Sequence, residues 1–271
     1  MKRKILIIPD IERIDESLKV AEKYDLAFEY NDFYMPDLLD DSARLKKTVE
    51  TYKSLDRDRS NDTLHGVFYD ITVHSDDPKI KQISEDRIKS SLDIATELGV
   101  TGVIFHTNYL ANFKVAFYED AWVERNVAFW SKLVKETPNL NIYIENMFDE
   151  EPGLIVRLFE RLFNDGILTP EEKKRIGICF DYAHANAFGN DMDLWENSVF
   201  PYVKHMHIND NDLKADLHQP MGEGKIDWAR FNRFVQEKNI NSSVLVEMKS
   251  IEGQIKSLEF MKENHIYPYD K

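Results

Sequence analysis

The chain of 271 residues is 42% hydrophobic and 31% charged, which is enough apolar material for a sizeable core in one large domain or two small ones. Its formal net charge of −14 argues against a broad nucleic-acid or anionic-membrane surface, since either needs clustered cations. The short basic clusters "MKRK" (1–4), "RLKK" (44–47) and "EEKKR" (171–175) are of the ordinary solvated kind, and the single cysteine, Cys179, excludes an internal disulfide.

The apolar run that follows "MKRK" is broken at once by Pro9 and charges, so it reads as a first strand and not as a signal peptide. No stretch approaches the roughly 20 apolar residues of a membrane span. The expectation is a soluble cytoplasmic protein without a membrane partner.

Strand-like and helix-like segments then alternate to the end of the chain. The short runs rich in β-branched and aromatic residues are "KILII" (4–8), "DLAFEY" (25–30), "TLHGVF" (63–68), "VTGVIFH" (100–106), "LNIYIE" (140–145), "RIGICFD" (175–181), "VKHMHI" (203–208) and "SVLVEM" (243–248). Cys179 sits inside one of them and reads as a packed core thiol. Between the runs lie amphipathic segments. Residues 77–99 carry Asp77 as a cap, Pro78 at the first helical position and Gly99 at the end. Residues 116–136 and 226–238 repeat their apolar positions at helical spacing. Eight strands alternating with roughly eight helices, without a linker, predict an α/β fold of a single (β/α)8 TIM barrel over residues 1–271; such barrels take about 250 residues. A doubly wound sheet would announce itself with a glycine-rich first turn, which "IIPDIERID" (7–15) lacks.

In a (β/α)8 barrel the site lies at the C-terminal strand ends, and here those ends carry metal-ligand residue types. Strand three carries His65 and strand four ends in His106. Strand five ends in Glu145, followed by Asn146, and strand six in Asp181, with His184 just beyond. Strand seven carries His205 and His207, and strand eight Glu247. A histidine in a strand often serves only as a hydrogen-bonded core residue. Carboxylates, however, are seldom buried unpaired, and the neighbours of Glu145 and Glu247 are Ile144 and Val246. Strand alternation puts His205 and His207 on one side. His207, nearer the strand end, is the expected ligand, and His205 is a deeper hydrogen-bonder. Glu145, Asp181, His207 and Glu247 are thus expected to converge on one divalent ion, Mn²⁺, Zn²⁺, Co²⁺ or Mg²⁺, whose charge relieves the cost of burying the carboxylates.

After strand seven, Asp216 and His218 stand two apart and can approach one ion, Gly222 and Gly224 allow a tight loop, and Asp227 is placed to cap a helix. Lys225 reads either as a contact to a substrate phosphate or as a solvated side chain. Tyr109 and Phe113 read as walls of a sugar pocket or as packing residues, and Phe117 as the buried face of its helix.

In this order, "IEN" (144–146), "CFDYAHA" (179–185), "HMHIND" (205–210), "DLHQPMGEG" (216–224) and "LVEM" (245–248) make the sequence resemble the xylose-isomerase-like TIM-barrel superfamily, from strand three to strand eight. That superfamily contains sugar and sugar-phosphate isomerases and epimerases as well as endonuclease IV. The resemblance to the first group implies one metal ion on Glu145, Asp181, His207 and Glu247. It also implies a sugar or sugar-phosphate substrate that reacts through an enediolate, with Glu145 and Glu247 as acid and base and His184 on the enediolate oxygen. The resemblance to endonuclease IV implies up to three zinc ions, on His65, His106, Glu145, Asp181, His184, His207, Asp216, His218 and Glu247. Against a DNA substrate, the loop "NDFYMPDLLDD" (31–41) is acidic and has no Lys or Arg, where bending DNA calls for cationic and intercalating side chains. The extra residues His65, His106, His184, Asp216 and His218 then read as substrate contacts. A sugar-binding barrel without catalysis is the third reading, and the completeness of the four-ligand set argues against it. Barrels of this superfamily often pair, so a homo-oligomer is open.

Overall fold

The computed structural model describes residues 5–110 and 113–269, so the basic cluster at 1–4 lies outside the described residues. Eight parallel strands close into a barrel in chain order: β1 (Ile5–Ile7), β2 (Ala27–Tyr30), β3 (Thr63–His65), β4 (Gly102–His106), β5 (Asn141–Glu145), β6 (Ile176–Asp181), β7 (Val203–Ile208) and β8 (Ser243–Val246). Each falls within one of the eight predicted runs.

The helices among the described residues are α1 (Ile14–Tyr24), α2 (Pro36–Leu39), α3 (Ser42–Lys53), α4 (Pro78–Leu98), α5 (Ala116–Glu136) and α6 (Gly153–Asn164). They continue with α7 (Pro170–Lys174), α8 (Tyr182–Phe188), α9 (Met192–Val199), α10 (Trp228–Glu237) and α11 (Ile251–Glu263). Helix α4 begins and ends as its sequence dictates: Asp77 accepts the Lys79 N–H at 2.8 Å, and Gly99 takes a left-handed φ of +73°. Asp227 caps α10 by accepting the Arg230 N–H at 2.9 Å. There are more helices than the roughly eight expected, because the additional ones are short and set by caps. In α7, for instance, Thr169 and Glu172 form a capping box that spans Pro170 and no residue is buried, so apolar periodicity has nothing to report. Phe117 corrects the expectation of a buried residue. It is 76% exposed, because the stripe that α5 buries runs through Trp122, Val123, Val127 and Trp130, and at 100° per residue Phe117 lies well off that stripe.

The chain packs as two compact units. The first comprises Met1–Glu29, Asn146–Pro152 and Ile178–Lys271. Within it β1 pairs with β8, and the β6–β7–β8 register sets Asp181 beside His207 and His207 beside Leu245. Leu6, Ile8, Ala27 and Leu245 form a buried cluster there. The second comprises Tyr30–Glu145 and Gly153–Gly177. In it β3, β4 and β5 pair, with His65 beside Ile104 and His106 directly beside Glu145. Just past β3, Gly66 donates its N–H to the Ile104 carbonyl at 2.8 Å, and a Cβ there would collide with the buried Phe105 ring. Only glycine lets the chain leave β3 this close to β4. No described helix is long and apolar enough to cross a membrane.

Candidate metal centre

In the first unit, β6 delivers Asp181 to the point where α8 begins. Its Oδ1 caps that helix, accepting the His184 N–H at 2.6 Å, and the capping bond fixes one carboxylate oxygen and the direction of the other. Asn146 braces the same turn: its amide donates to the Asp181 carbonyl at 2.9 Å and accepts the Asp181 N–H at 3.0 Å. The His184 Nδ1 lies 2.8 Å from the Asn146 carbonyl, so it carries the proton and donates, leaving Nε2 to face Asp216 Oδ2 at 3.4 Å. Asp216 in turn accepts from His218 Nε2 at 2.8 Å, and His218 Nδ1 donates to the Glu247 carbonyl at 3.0 Å. Burial alone would lower the pKa of His218, but the charge of Glu247 and the bond to Asp216 outweigh it and raise it to about 10. Burial likewise pushes Asp216 up, yet the His184 and His218 rings beside it hold it well below the usual carboxylate range.

Strand β7 supplies His207, whose Nδ1 faces Glu247 Oε2 at 3.6 Å. Asp181, His207 and Glu247 each offer a ligand atom within 4.8 Å of the others. Asp181 and His207 are fully buried and Glu247 is 8% exposed, so the two carboxylates need positive charge at hand. Two carboxylates and an imidazole fit a divalent ion such as Zn²⁺ or Mn²⁺.

The second unit holds its own group. His65, His106 and Glu145 bring ligand atoms within 4.8 Å of one another, with Glu145 Oε2 3.3 Å from His106 Nε2 and 3.5 Å from His65 Nε2. Phe68 stacks on His106 with ring centroids 4.6 Å apart, and Tyr34 stacks on Phe68 at 4.8 Å. This aromatic wall beside the histidines escaped the sequence reading. Tyr109 instead stacks on Tyr118, Phe113 meets the same ring edge-on, and both belong to a group with His74 and Trp122. Lys225 is exposed, and its backbone N–H donates to the Asn211 carbonyl.

Glu29 is the other residue that sequence reasoning missed. It is fully buried in β2 and lies 3.1 Å from both His205 Nε2 and His207 Nε2. Burial opposes its ionisation, but the two imidazoles beside it hold its carboxyl well below the usual range. The signal was present: a glutamate between Phe28 and Tyr30 is the pattern that singled out Glu145 and Glu247.

Residues 20–264 match the family model described as xylose isomerase-like TIM barrel. The chain belongs to this family. An uncharacterized protein of Methanocaldococcus jannaschii, MJ1311, is 26% identical over 204 residues, which cover 74% of this chain and 68% of that protein. A D-tagatose 3-epimerase-like protein shares the fold with a TM-score of 0.72 at 22% identity, over 96% of both chains. A Thermus thermophilus protein soaked with ZnCl2 gives a TM-score of 0.71 at 21% identity, over 97% of both. Further structures of the same fold include several sugar epimerases. At these identities the likeness to solved structures is one of fold, and the family's shared frame is what places β5 to β8 and their terminal residues.

Proposed function

We propose that the protein is a divalent-metal-dependent sugar isomerase or epimerase, with Glu145, Asp181, His207 and Glu247 as the residues that hold the ion. The observation that carries the reading is the approach of Asp181, His207 and Glu247 to within ligand-sharing distance at the ends of three successive strands. Glu145, which ends the preceding strand, is the fourth member by position. A divalent ion bound there supplies Lewis acidity to the sugar's carbonyl and neighbouring hydroxyl oxygens.

The chain's own residues do the proton work. One of Glu145 and Glu247 removes the proton from the carbon beside the carbonyl, and the other returns one. Return to the opposite face gives an epimer; return to the adjacent carbon gives the aldose–ketose isomer. His184, whose Nδ1 proton is committed to the Asn146 carbonyl, presents Nε2 to the substrate oxygen or to a proton on it. Positioned acid–base groups contribute about 10²–10⁴ in rate each. Exchange of the substrate α-proton with solvent deuterium is therefore expected to fall by about 10² or more in both Glu145→Gln and Glu247→Gln, with the folded baseline in circular dichroism unchanged. Full exchange in both variants would sink the assignment.

A second reading has its own support. His65 and His106 join Glu145 in one group, and His184, Asp216 and His218 form a linked chain, which are the two additional clusters a trinuclear zinc phosphodiesterase requires. Elemental analysis after reloading with zinc separates the two. About one ion per chain supports the sugar enzyme, whereas close to three would move the first assays to abasic-site DNA and small phosphodiesters.

A further inference from the structure

We propose that Asn209 is a substrate-binding residue of the candidate centre, whose carboxamide holds a pair of neighbouring hydroxyl groups on a neutral sugar. The inference rests on the sugar-enzyme reading, and it adds a residue that the ligand set does not contain.

Asn209 stands directly after β7, and the alternation of that strand decides which way it faces. His205 and His207 share one face, where His205 Nδ1 lies 2.6 Å from Ser243 Oγ and His207 Nδ1 faces Glu247 Oε2 at 3.6 Å. Asp210 has the opposite sense: it accepts the indole N–H of Trp228, on α10, at 3.0 Å. Asn209, between Ile208 and Asp210, therefore falls on the face of the two histidines. The β7–β8 ladder runs on to this level, since Ile208 pairs with Val246 and the Glu247 N–H donates to the Ile208 carbonyl at 2.9 Å. Asn209 thus stands beside Glu247. At about 3.3 Å of rise per residue it lies about 7 Å beyond His207 along the strand direction.

There its side chain is buried as completely as those of Asp181 and His207, and neither Oδ1 nor Nδ2 has a hydrogen-bond partner among the described residues. Two neighbouring buried asparagines show the contrast. Asn146 uses both ends of its amide on the Asp181 backbone, and Asn211 donates to the Ala183 carbonyl and accepts the Leu213 N–H, each at 2.9 Å. Taking an amide out of water without replacing its bonds costs the desolvation of both ends. Such groups are rare in native interiors, where they mark a bound water, an ion or a functional role. A carboxamide presents an acceptor and a donor side by side. Two neighbouring hydroxyls answer both, one donating to Oδ1 and the other accepting from Nδ2. A carboxylate or a phosphate dianion only accepts and would leave Oδ1 bare. The part of the substrate that lies here is therefore a neutral diol.

The test uses the full chain loaded with zinc or manganese and two variants: Asn209→Leu, which keeps the volume, and Asn209→Ala, which removes the amide without adding a branch. Exchange of the α-proton with solvent deuterium is measured on the four D-ketohexoses, and metal affinity by competition with a chromophoric chelator. Both variants are expected to lose roughly 10–100-fold in kcat/KM on the best of these sugars, the worth of two neutral hydrogen bonds. The loss falls on KM, because hydroxyls beyond those that reach the ion are held equally in ground and transition state. Metal affinity is expected to stay at the wild-type level. Wild-type kcat/KM in both variants leaves the amide to an ordered water and overturns the proposal. A loss confined to kcat, or a parallel loss of metal affinity, overturns it as well, since Asn209 then serves the centre and not the substrate. A wild-type chain that binds metal yet exchanges none of the four sugars sinks the sugar reading itself, and the assignment of Asn209 with it.

Discussion

Asp210 follows β7 with its side chain 1% exposed, and each of its oxygens accepts two hydrogen bonds. Oδ1 takes the N–H groups of Asn211 and Ile226; Oδ2 takes the N–H of Gly222 and the indole of Trp228. The long loop that carries Asp216 and His218 is thus tied to one carboxylate, and a Cβ on Gly224 would collide with it. Replacing Asp210 with alanine strands several buried donors at a cost of about 1–3 kcal/mol each when water cannot reach them. Asp210→Ala is expected to lose about 3 kcal/mol in urea unfolding, and an unchanged midpoint would show that the loop is held by other means. At this scale, caps were legible in the sequence because their partners are two or three residues away, as with Asp77 and Asp227. Asp210 and Glu29 were not, because three of the four partners of Asp210 lie 12 to 18 residues on, and His205, the partner of Glu29, lies 176 residues away.

The segment between β3 and α4 docks on α5 through His74. Its Nε2 lies 3.1 Å from the Tyr118 hydroxyl, and Arg125 donates to the His74 carbonyl at 2.7 Å while pairing with Asp76. Burial, aided by the Arg125 charge, lowers the His74 pKa to about 4. The unfolded chain binds this proton below about 6.5 and the folded chain does not until about 4. Stability therefore falls as the pH drops from about 6.5 to about 4 and levels off below that, by at most about 3 kcal/mol. Urea midpoints measured across this window should fall more steeply for the wild type than for His74→Gln; parallel curves would remove His74 as the cause. Element identity was largely legible, since the period of 2 in the strands and the apolar stripes of α4, α5 and α10 are local patterns. The short helices were not, because α7 buries nothing and α8 is made by the cap of Asp181.

For the whole molecule, the buried carboxylates of the proposed centre would link folding to metal. An ion that binds only the folded chain adds about 2.7 kcal/mol at a hundred times its dissociation constant. Zinc or manganese is expected to raise the melting temperature of chelator-stripped protein in a concentration-dependent way. Absence of any shift with zinc, manganese, cobalt or magnesium would count against the proposed centre.

The sequence by itself determined the barrel, its eight strands and the residue types that end them, because the βα alternation is written in short-range periodicity and a buried charge stands out against apolar neighbours. Tertiary structure alone decided which side chains meet. His106 lies beside Glu145 only through the β4–β5 register, Glu29 meets His205 and His207 only through packing between strands distant in the chain, and Phe68 stacks on His106 across the gap between two strands. Register and packing depend on contacts between distant residues, and a hydrogen bond across 176 positions leaves no local pattern in the chain that makes it.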